Sequence, residues 1–353
     1  MRRLLVLAVG LAGVLAPART AAETAAGSQL DGCLSCHADA AMTATLPSGE
    51  SVPVHVDREK FTSSVHASLE CTDCHAGYDA YPHPARSAKN AAEFKAGFLD
   101  GCKSCHLDKY EQAGDGVHEK LRAGGNSSAP SCIDCHGAHD VKKASEPRTR
   151  ISETCAGCHF DVNGKWAESV HGKALLEKGN QDAPVCTDCH RSHDIPDPTQ
   201  QAWLVRVHEL CGKCHSDPEK MKKYGLSANV VETYLWDFHG TTTQLSAAKD
   251  STETGAPRPT ALCIDCHGVH DIARADDPDS PVLRANLAKT CQKCHEGATE
   301  NFPAAWLSHY EPTLEKAPLV WLVKVGYLVL IPFMIGGLCL QILLHLWRVV
   351  VNR

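Results

Sequence analysis

The hydrophobic pattern is concentrated at the two ends of the chain. After Met1-Arg2-Arg3 an apolar run extends from Leu4 to Leu15, and small residues follow around Ala16-Pro17-Ala18 and Thr20-Ala21-Ala22. A basic start, a short apolar stretch and a small-residue cleavage zone predict a secretory signal peptide over residues 1–22, because the run is too short to span a bilayer. At the other end the chain is strongly apolar from Leu319 to Trp347, and Val325–Leu344 holds one polar side chain, Gln341, and no charge. Such a stretch at helical rise crosses a hydrocarbon core, so residues 317–349 are predicted as a transmembrane helix and 350–353 as a cytoplasmic tail. Lys324 can snorkel at one end, Trp321, Tyr327 and Trp347 suit the interfaces, and Pro332 and Gly336-Gly337 are tolerated within such a helix. Arg348 and Arg353 mark the inner side. The expected topology is a single pass through the cytoplasmic (inner) membrane, with residues 23–316 on the periplasmic, extracytoplasmic side.

Cysteine dominates the intervening segment. Of the 353 residues 19 are cysteine, and 18 of these form nine Cys-x-x-Cys pairs, each followed at once by histidine. They are Cys33-Cys36-His37, Cys71-Cys74-His75, Cys102-Cys105-His106, Cys132-Cys135-His136, Cys155-Cys158-His159, Cys186-Cys189-His190, Cys211-Cys214-His215, Cys263-Cys266-His267 and Cys291-Cys294-His295. Cys339 alone is left over, and reads as a small apolar packing residue in the span. Zinc ribbons and disulfide frameworks require no histidine after every pair. Covalent attachment of c-type haem does: two thiols add to two vinyl groups on one porphyrin edge, and the adjacent histidine binds the iron. The sequence therefore predicts nine c-type haems.

The motifs are of two alternating kinds. Even-numbered ones continue into a trailing His-Asp, as in Cys132–Asp140, Cys186–Asp194 and Cys263–Asp271; the second motif begins alike but carries Tyr78 where the others have histidine. Between an odd motif and the next even one lies a lone histidine: His66, His118, His171 and His239, with His309 after the last odd motif. Four two-haem repeats and a final half repeat result.

Each iron needs a second axial ligand. The repeat offers His66, His118, His139, His171, His193, His239, His270 and His309, and His83 substitutes where Tyr78 interrupts the pattern. His55, His208 and His345 remain, the first two as surface or propionate-contacting histidines or as further ligand candidates. Methionine is scarce, only Met42 and Met221 lying between the two end segments, so bis-histidine ligation and low potentials are expected. Three residues past its own proximal ligand, a trailing histidine cannot easily reach the far face of the same ring, so it should ligate a neighbouring haem. Asp140, Asp194 and Asp271 either hydrogen-bond a ligand imidazole or serve the loop.

About 29 residues per motif across Cys33–His295 leave no room for a conventional apolar core. The haems must be the core, and the expected fold is mostly α and irregular, with short helices and loops wrapped round them; 6% aromatic residues with 26 glycines and 19 prolines agree. A net charge of −7 excludes the basic surface that nucleic-acid binding requires.

At these residues the chain resembles multihaem c-type cytochromes with doubled Cys-x-x-Cys-His motifs. The stretch from Phe61 through Ser64-Val65-His66 to Cys71-Thr72-Asp73-Cys74-His75 is similar to haem domains fused to, or encoded beside, membrane b-type cytochromes. The resemblance implies a respiratory role, with redox-protein partners that include a membrane cytochrome b or quinone-reactive subunit, here on a separate chain because this one stops at Arg353. His345 could then bind a haem b or quinone shared with that partner, or be a plain interfacial histidine.

Two main functions compete, together with a third in which the chain is a haem-bearing scaffold. An electron relay needs two axial ligands on every iron and no catalytic residue. A multihaem oxidoreductase acting on a small nitrogen or sulfur compound needs an open iron. Nothing marks one, and the weak point is the haem that relies on His83, with the Cys71-Cys74-His75 motif or its neighbours as the place to look.

Overall fold

In the computed structural model the described residues are 21–84, 87–248, 260–305, 309, 311–315 and 317–352. The signal-peptide stretch lies almost wholly outside them. Short α-helices joined by irregular segments make up nearly all of the structure. Among the described residues the one sheet is a hairpin of strands Thr43–Thr45 and Ser51–Pro53, antiparallel with Ala44 opposite Val52.

The chain divides into two compact units. The first comprises the residues up to Cys158 together with His190–Pro196; the second comprises His159–Cys189 and everything from Asp197 onward. In the first unit the helix Ala21–His37 is tied to the second motif through Gln29, whose Nε2 donates to Thr72 Oγ1 (3.0 Å). Helices Leu99–Cys105, Leu107–Asp115 and Val117–Ala123 follow one another almost without linkers, then Cys132–His136 and Thr149–Ala156. In the second unit, pairs of consecutive helices turn back on each other: Phe160–Glu168 with Val170–Leu176, and Val230–Trp236 with Phe238–Ala248.

The backbone repeats one tether in both units. The residue before a lone histidine donates its N–H to the carbonyl two residues beyond a trailing histidine position. The bonds are Val65 to Val141 (2.9 Å) and Val117 to Ile195 (2.9 Å) in the first unit, and Val170 to Ile272 (2.8 Å) in the second. Each joins segments some 75 to 100 residues apart in sequence, so the lone and trailing histidines are held by the same scaffold.

Few side chains support this framework. Among the described residues the buried apolar ones are scattered, including Leu34, Val52 and Leu99 in the first unit and Trp166, Leu175, Val185, Val207, Met221, Tyr234 and Leu262 in the second. Phe160 (69% exposed) and Phe238 (92% exposed), each beside a motif or lone histidine, are left uncovered by polypeptide. A chain that hides so little apolar surface draws its stability from something other than its own core.

The last helix, Pro318–Val351, has 34 residues and Pro at its first position. It is long and apolar enough to cross a membrane, and none of it is buried against the rest of the chain. At about 1.5 Å per residue it exceeds a hydrocarbon core of about 30 Å and projects beyond it.

Close helix crossing in the second unit depends on two glycines that directly follow lone histidines. A Cβ on Gly172 would stand 2.0 Å from the Trp166 carbonyl oxygen, and one on Gly240 1.9 Å from that of Tyr234. Backbone cannot yield as a flexible side chain can. Gly240→Ala should therefore destabilise the protein by about 3 kcal/mol, the upper range for overpacking. Gly164→Ala, in a helix position with open space around it, should be neutral or stabilise by up to about 1 kcal/mol. Chemical denaturation followed by far-ultraviolet circular dichroism distinguishes the two.

Candidate functional site

The two kinds of motif occupy opposite ends of helices. Even motifs open a helix at their first cysteine: Cys71–Cys74, Cys132–His136, Cys186–His190 and Cys263–His267. The aspartate shared by all four sits at the third helical position and accepts the N–H of the residue ahead of the helix. Asp73 accepts from Glu70 (2.8 Å), Asp134 from Ser131 (2.8 Å), Asp188 from Val185 (2.7 Å) and Asp265 from Leu262 (2.8 Å). This carboxylate half of a capping box holds a helix too short to persist alone. Odd motifs instead lie toward the C-terminal ends of Ala21–His37, Leu99–Cys105, Thr149–Ala156, Val207–His215 and Leu287–Gln292. On one helical turn the two cysteines, three apart, share a face, and the histidine stands one residue beyond.

After the even-motif histidine the chain reverses through a left-handed residue: Gly137 (φ 77°), Arg191 (φ 61°) and Gly268 (φ 84°). Asp271 Oδ1 accepts the Val269 N–H (3.2 Å), and Asp194 pairs with the Arg191 guanidinium. These two aspartates thus brace the loop.

Within each unit, motifs adjacent in sequence are adjacent in space. First cysteines lie beside one another: Cys33 by Cys71, Cys102 by Cys132, and Cys211 by Cys263. The second cysteine of an even motif lies beside the motif that follows. Burial first pushes these thiols up, and the aspartate of the same motif and the approach of a neighbouring motif add to it: Asp73 and Cys105 for Cys74, Cys155 and Asp134 for Cys135, Cys211 and Asp188 for Cys189, Asp265 and Cys291 for Cys266. All nineteen cysteines are free of disulfides.

Motif histidines face histidines from elsewhere in the chain. In the first unit His37 faces His83 with ring centres 6.0 Å apart, His75 faces His139 (5.9 Å), His106 faces His66 (6.1 Å) and His136 faces His193 (6.1 Å). In the second unit His215 faces His171 (6.3 Å), His267 faces His309 (6.2 Å) and His295 faces His239 (6.4 Å). Two metal–nitrogen bonds of about 2 Å, plus the radius of each five-membered ring, come to about 6 Å. The donor set and spacing thus fit an iron held between two imidazoles, with the cysteines placed to fix the porphyrin edge.

Electrostatics agree with that use. Burial pushes His171 down to about 4, and burial is also the leading cause that lowers His136, His139, His193, His215, His267, His270 and His309. A neutral imidazole keeps the lone pair that binds metal. Backbone carbonyls orient two rings through Nδ1, Val54 for His37 (2.8 Å) and Ala80 for His83 (3.0 Å), leaving Nε2 for the metal.

His208 is buried beside Tyr234 (ring centres 6.4 Å apart), and its Nδ1 has no hydrogen-bond partner. Tyr234 itself bonds Thr243 Oγ1 (2.8 Å) and the Ala261 carbonyl (3.0 Å). His345 lies exposed on the apolar helix, in a shallow groove with Leu338, Gln341, Ile342 and Leu346.

Residues 124–216 match the family model described as Cytochrome c3. Four of the nine Cys-x-x-Cys-His motifs, from Cys132 to His215, fall in that segment. No curated protein and no solved structure matches the chain. The match supports a multihaem c-type cytochrome that binds c-type haem and transfers electrons.

The capping aspartates were not singled out from sequence, although their recurrence in Cys-x-Asp-Cys-His was the available signal. Asp265→Ala should lower unfolding free energy by about 1 kcal/mol through loss of the Leu262 N–H partner. The melting temperature should fall while the haem content of the purified protein, read by pyridine haemochrome, stays the same.

Proposed function

We propose that the chain is a membrane-anchored, extracytoplasmic cytochrome with nine covalently attached haems. It relays electrons between a membrane quinol or cytochrome b partner and a periplasmic or extracellular acceptor. The observation that carries this reading is the set of seven facing histidine pairs at 5.9–6.4 Å. Each haem, when bound, supplies a one-electron carrier. The chain's residues do the rest. Paired cysteines fix each porphyrin by one edge, and the motif histidine and a second histidine from another segment close both faces of the iron. Closed faces leave no coordination position for a substrate, which favours a relay over catalysis. Proximity of cysteines of successive motifs favours close approach of their porphyrin edges, as electron transfer along the chain requires. Scarcity of methionine favours low potentials suited to the quinol side of a respiratory chain. The helix Pro318–Val351 supplies the anchor, with lipid as its surroundings.

The competing reading, an oxidoreductase acting on a small nitrogen or sulfur compound, has one foothold. His83, which faces His37, lies on an exposed segment, and an exposed ligand is the easiest to displace.

Intact mass spectrometry of the purified mature protein should show nine haem adducts. Its visible spectrum should be low-spin in both oxidation states and unchanged by cyanide or nitrite. Fewer adducts would overturn the haem count, and stoichiometric uptake of cyanide by one iron would give the oxidoreductase reading the lead.

A further inference from the structure

Although the seven histidine pairs share one spacing, they differ in the angle between their rings. His37–His83, His75–His139, His136–His193 and His267–His309 are near parallel, with interplanar angles of 24°, 23°, 16° and 20°. His66–His106, His171–His215 and His239–His295 are strongly tilted, at 46°, 57° and 52°. The division follows the origin of the second histidine. Every tilted pair uses a lone histidine from ahead of an even motif; the near-parallel pairs use the trailing histidines His139 and His193, His83 in the trailing position, and His309, which follows the last odd motif with no even motif after it.

The scaffold explains the difference. His171 and His239 are the second residues of helices whose starts are capped, Ser169 Oγ accepting from Gly172 N–H (3.1 Å) and Asp237 Oδ1 from Gly240 N–H (3.0 Å). The glycine crossings then fix the direction of each helix. His66 is held by the Val65–Val141 tether. The trailing histidines His139 and His193 instead leave the left-handed turns at Gly137 and Arg191.

We propose that the protein builds two electronically distinct classes of iron site, sorted by whether the second ligand is a lone histidine ahead of an even motif. The inference rests on these pairs ligating iron. Each imidazole plane interacts with one of the two dπ orbitals of a low-spin ferric ion. Parallel planes act on the same orbital and split the pair; the splitting shrinks as the planes turn toward perpendicular, so tilts of 46°, 57° and 52° reduce it. The first arrangement gives a rhombic electron paramagnetic resonance spectrum, and the second shifts the largest g value upward. In this chain the tilted sites belong to the third, seventh and ninth motifs, and near-parallel sites to the first, second, fourth and eighth.

The test is frozen-solution EPR of the fully oxidised, full-length protein in detergent, integrated against haem content. At least three irons should fall in the large-g class and at least four in the rhombic class. His171→Gly should remove one iron's intensity from the large-g class, and His193→Gly one from the rhombic class, with pyridine haemochrome confirming unchanged haem content. A wild-type spectrum that is entirely rhombic and low-spin would overturn the two classes while leaving the histidine pairs as ligands. A predominantly high-spin wild-type spectrum would overturn the pairs themselves. Should the variants not mature, the wild-type class populations decide.

Discussion

The rest of the structure depends on a spacing: imidazoles from distant parts of the chain held with ring centres about 6 Å apart, beside a short segment that carries two thiols. An ordinary domain of this length buries a contiguous apolar core. Here the helices are short, and large apolar side chains such as Phe238 stand open. Coordination and thioether bonds to a rigid planar group would supply what packing does not. A cross-link between His75 and His139 closes a loop of more than sixty residues, and such closures remove much of the entropy of the unfolded chain. The polypeptide alone holds the pairs in register through narrower means: capping aspartates, the repeated valine tether and two glycine crossings.

These means explain how such different local structures produce one spacing. An even motif starts a helix and is steadied from its N-terminal side by its own aspartate. An odd motif ends a helix that has already formed. Because one kind begins where the other finishes, consecutive motifs can be brought edge to edge, as Cys33 with Cys71 and Cys211 with Cys263 show. The left-handed reversal after an even motif then sends the trailing histidine away from its own motif toward an earlier one. His139 of the fourth motif faces His75 of the second, and His193 of the sixth faces His136 of the fourth.

Much of this was legible in the sequence, and the limits have physical causes. The Cys-x-x-Cys-His motif is a local signal, because all its atoms come from five consecutive residues, so the mostly helical, irregular fold and the haem chemistry followed from it. The partner histidine is a tertiary fact. Alternation of lone and trailing histidines marked the candidates, but spacing along the chain carries no information about which ring faces which. His83 shows the difference: it stands in for a trailing histidine by position, yet faces the first motif, whereas the other trailing histidines of the first unit face even motifs. Gly172 and Gly240 were silent for a related reason, since a glycine that permits a helix crossing looks in sequence like any other. The aspartates after the trailing histidines were open between two roles, and only coordinates place Asp271 on its own loop.

Ring tilt carries the argument one step past connectivity. A relay gains from carriers that are alike enough to exchange electrons and different enough to have an order, and the chain has few ways to vary sites that share one ligand set. It cannot change ligand identity, because methionine is nearly absent between its two ends. It can change the frame on which the second histidine is mounted. His171 and His239 are mounted on capped, glycine-packed helices, whereas His139 and His193 leave tight turns. On the proposed ligation, a chain that uses both mountings varies the electronic character of its iron sites while keeping one ligand set.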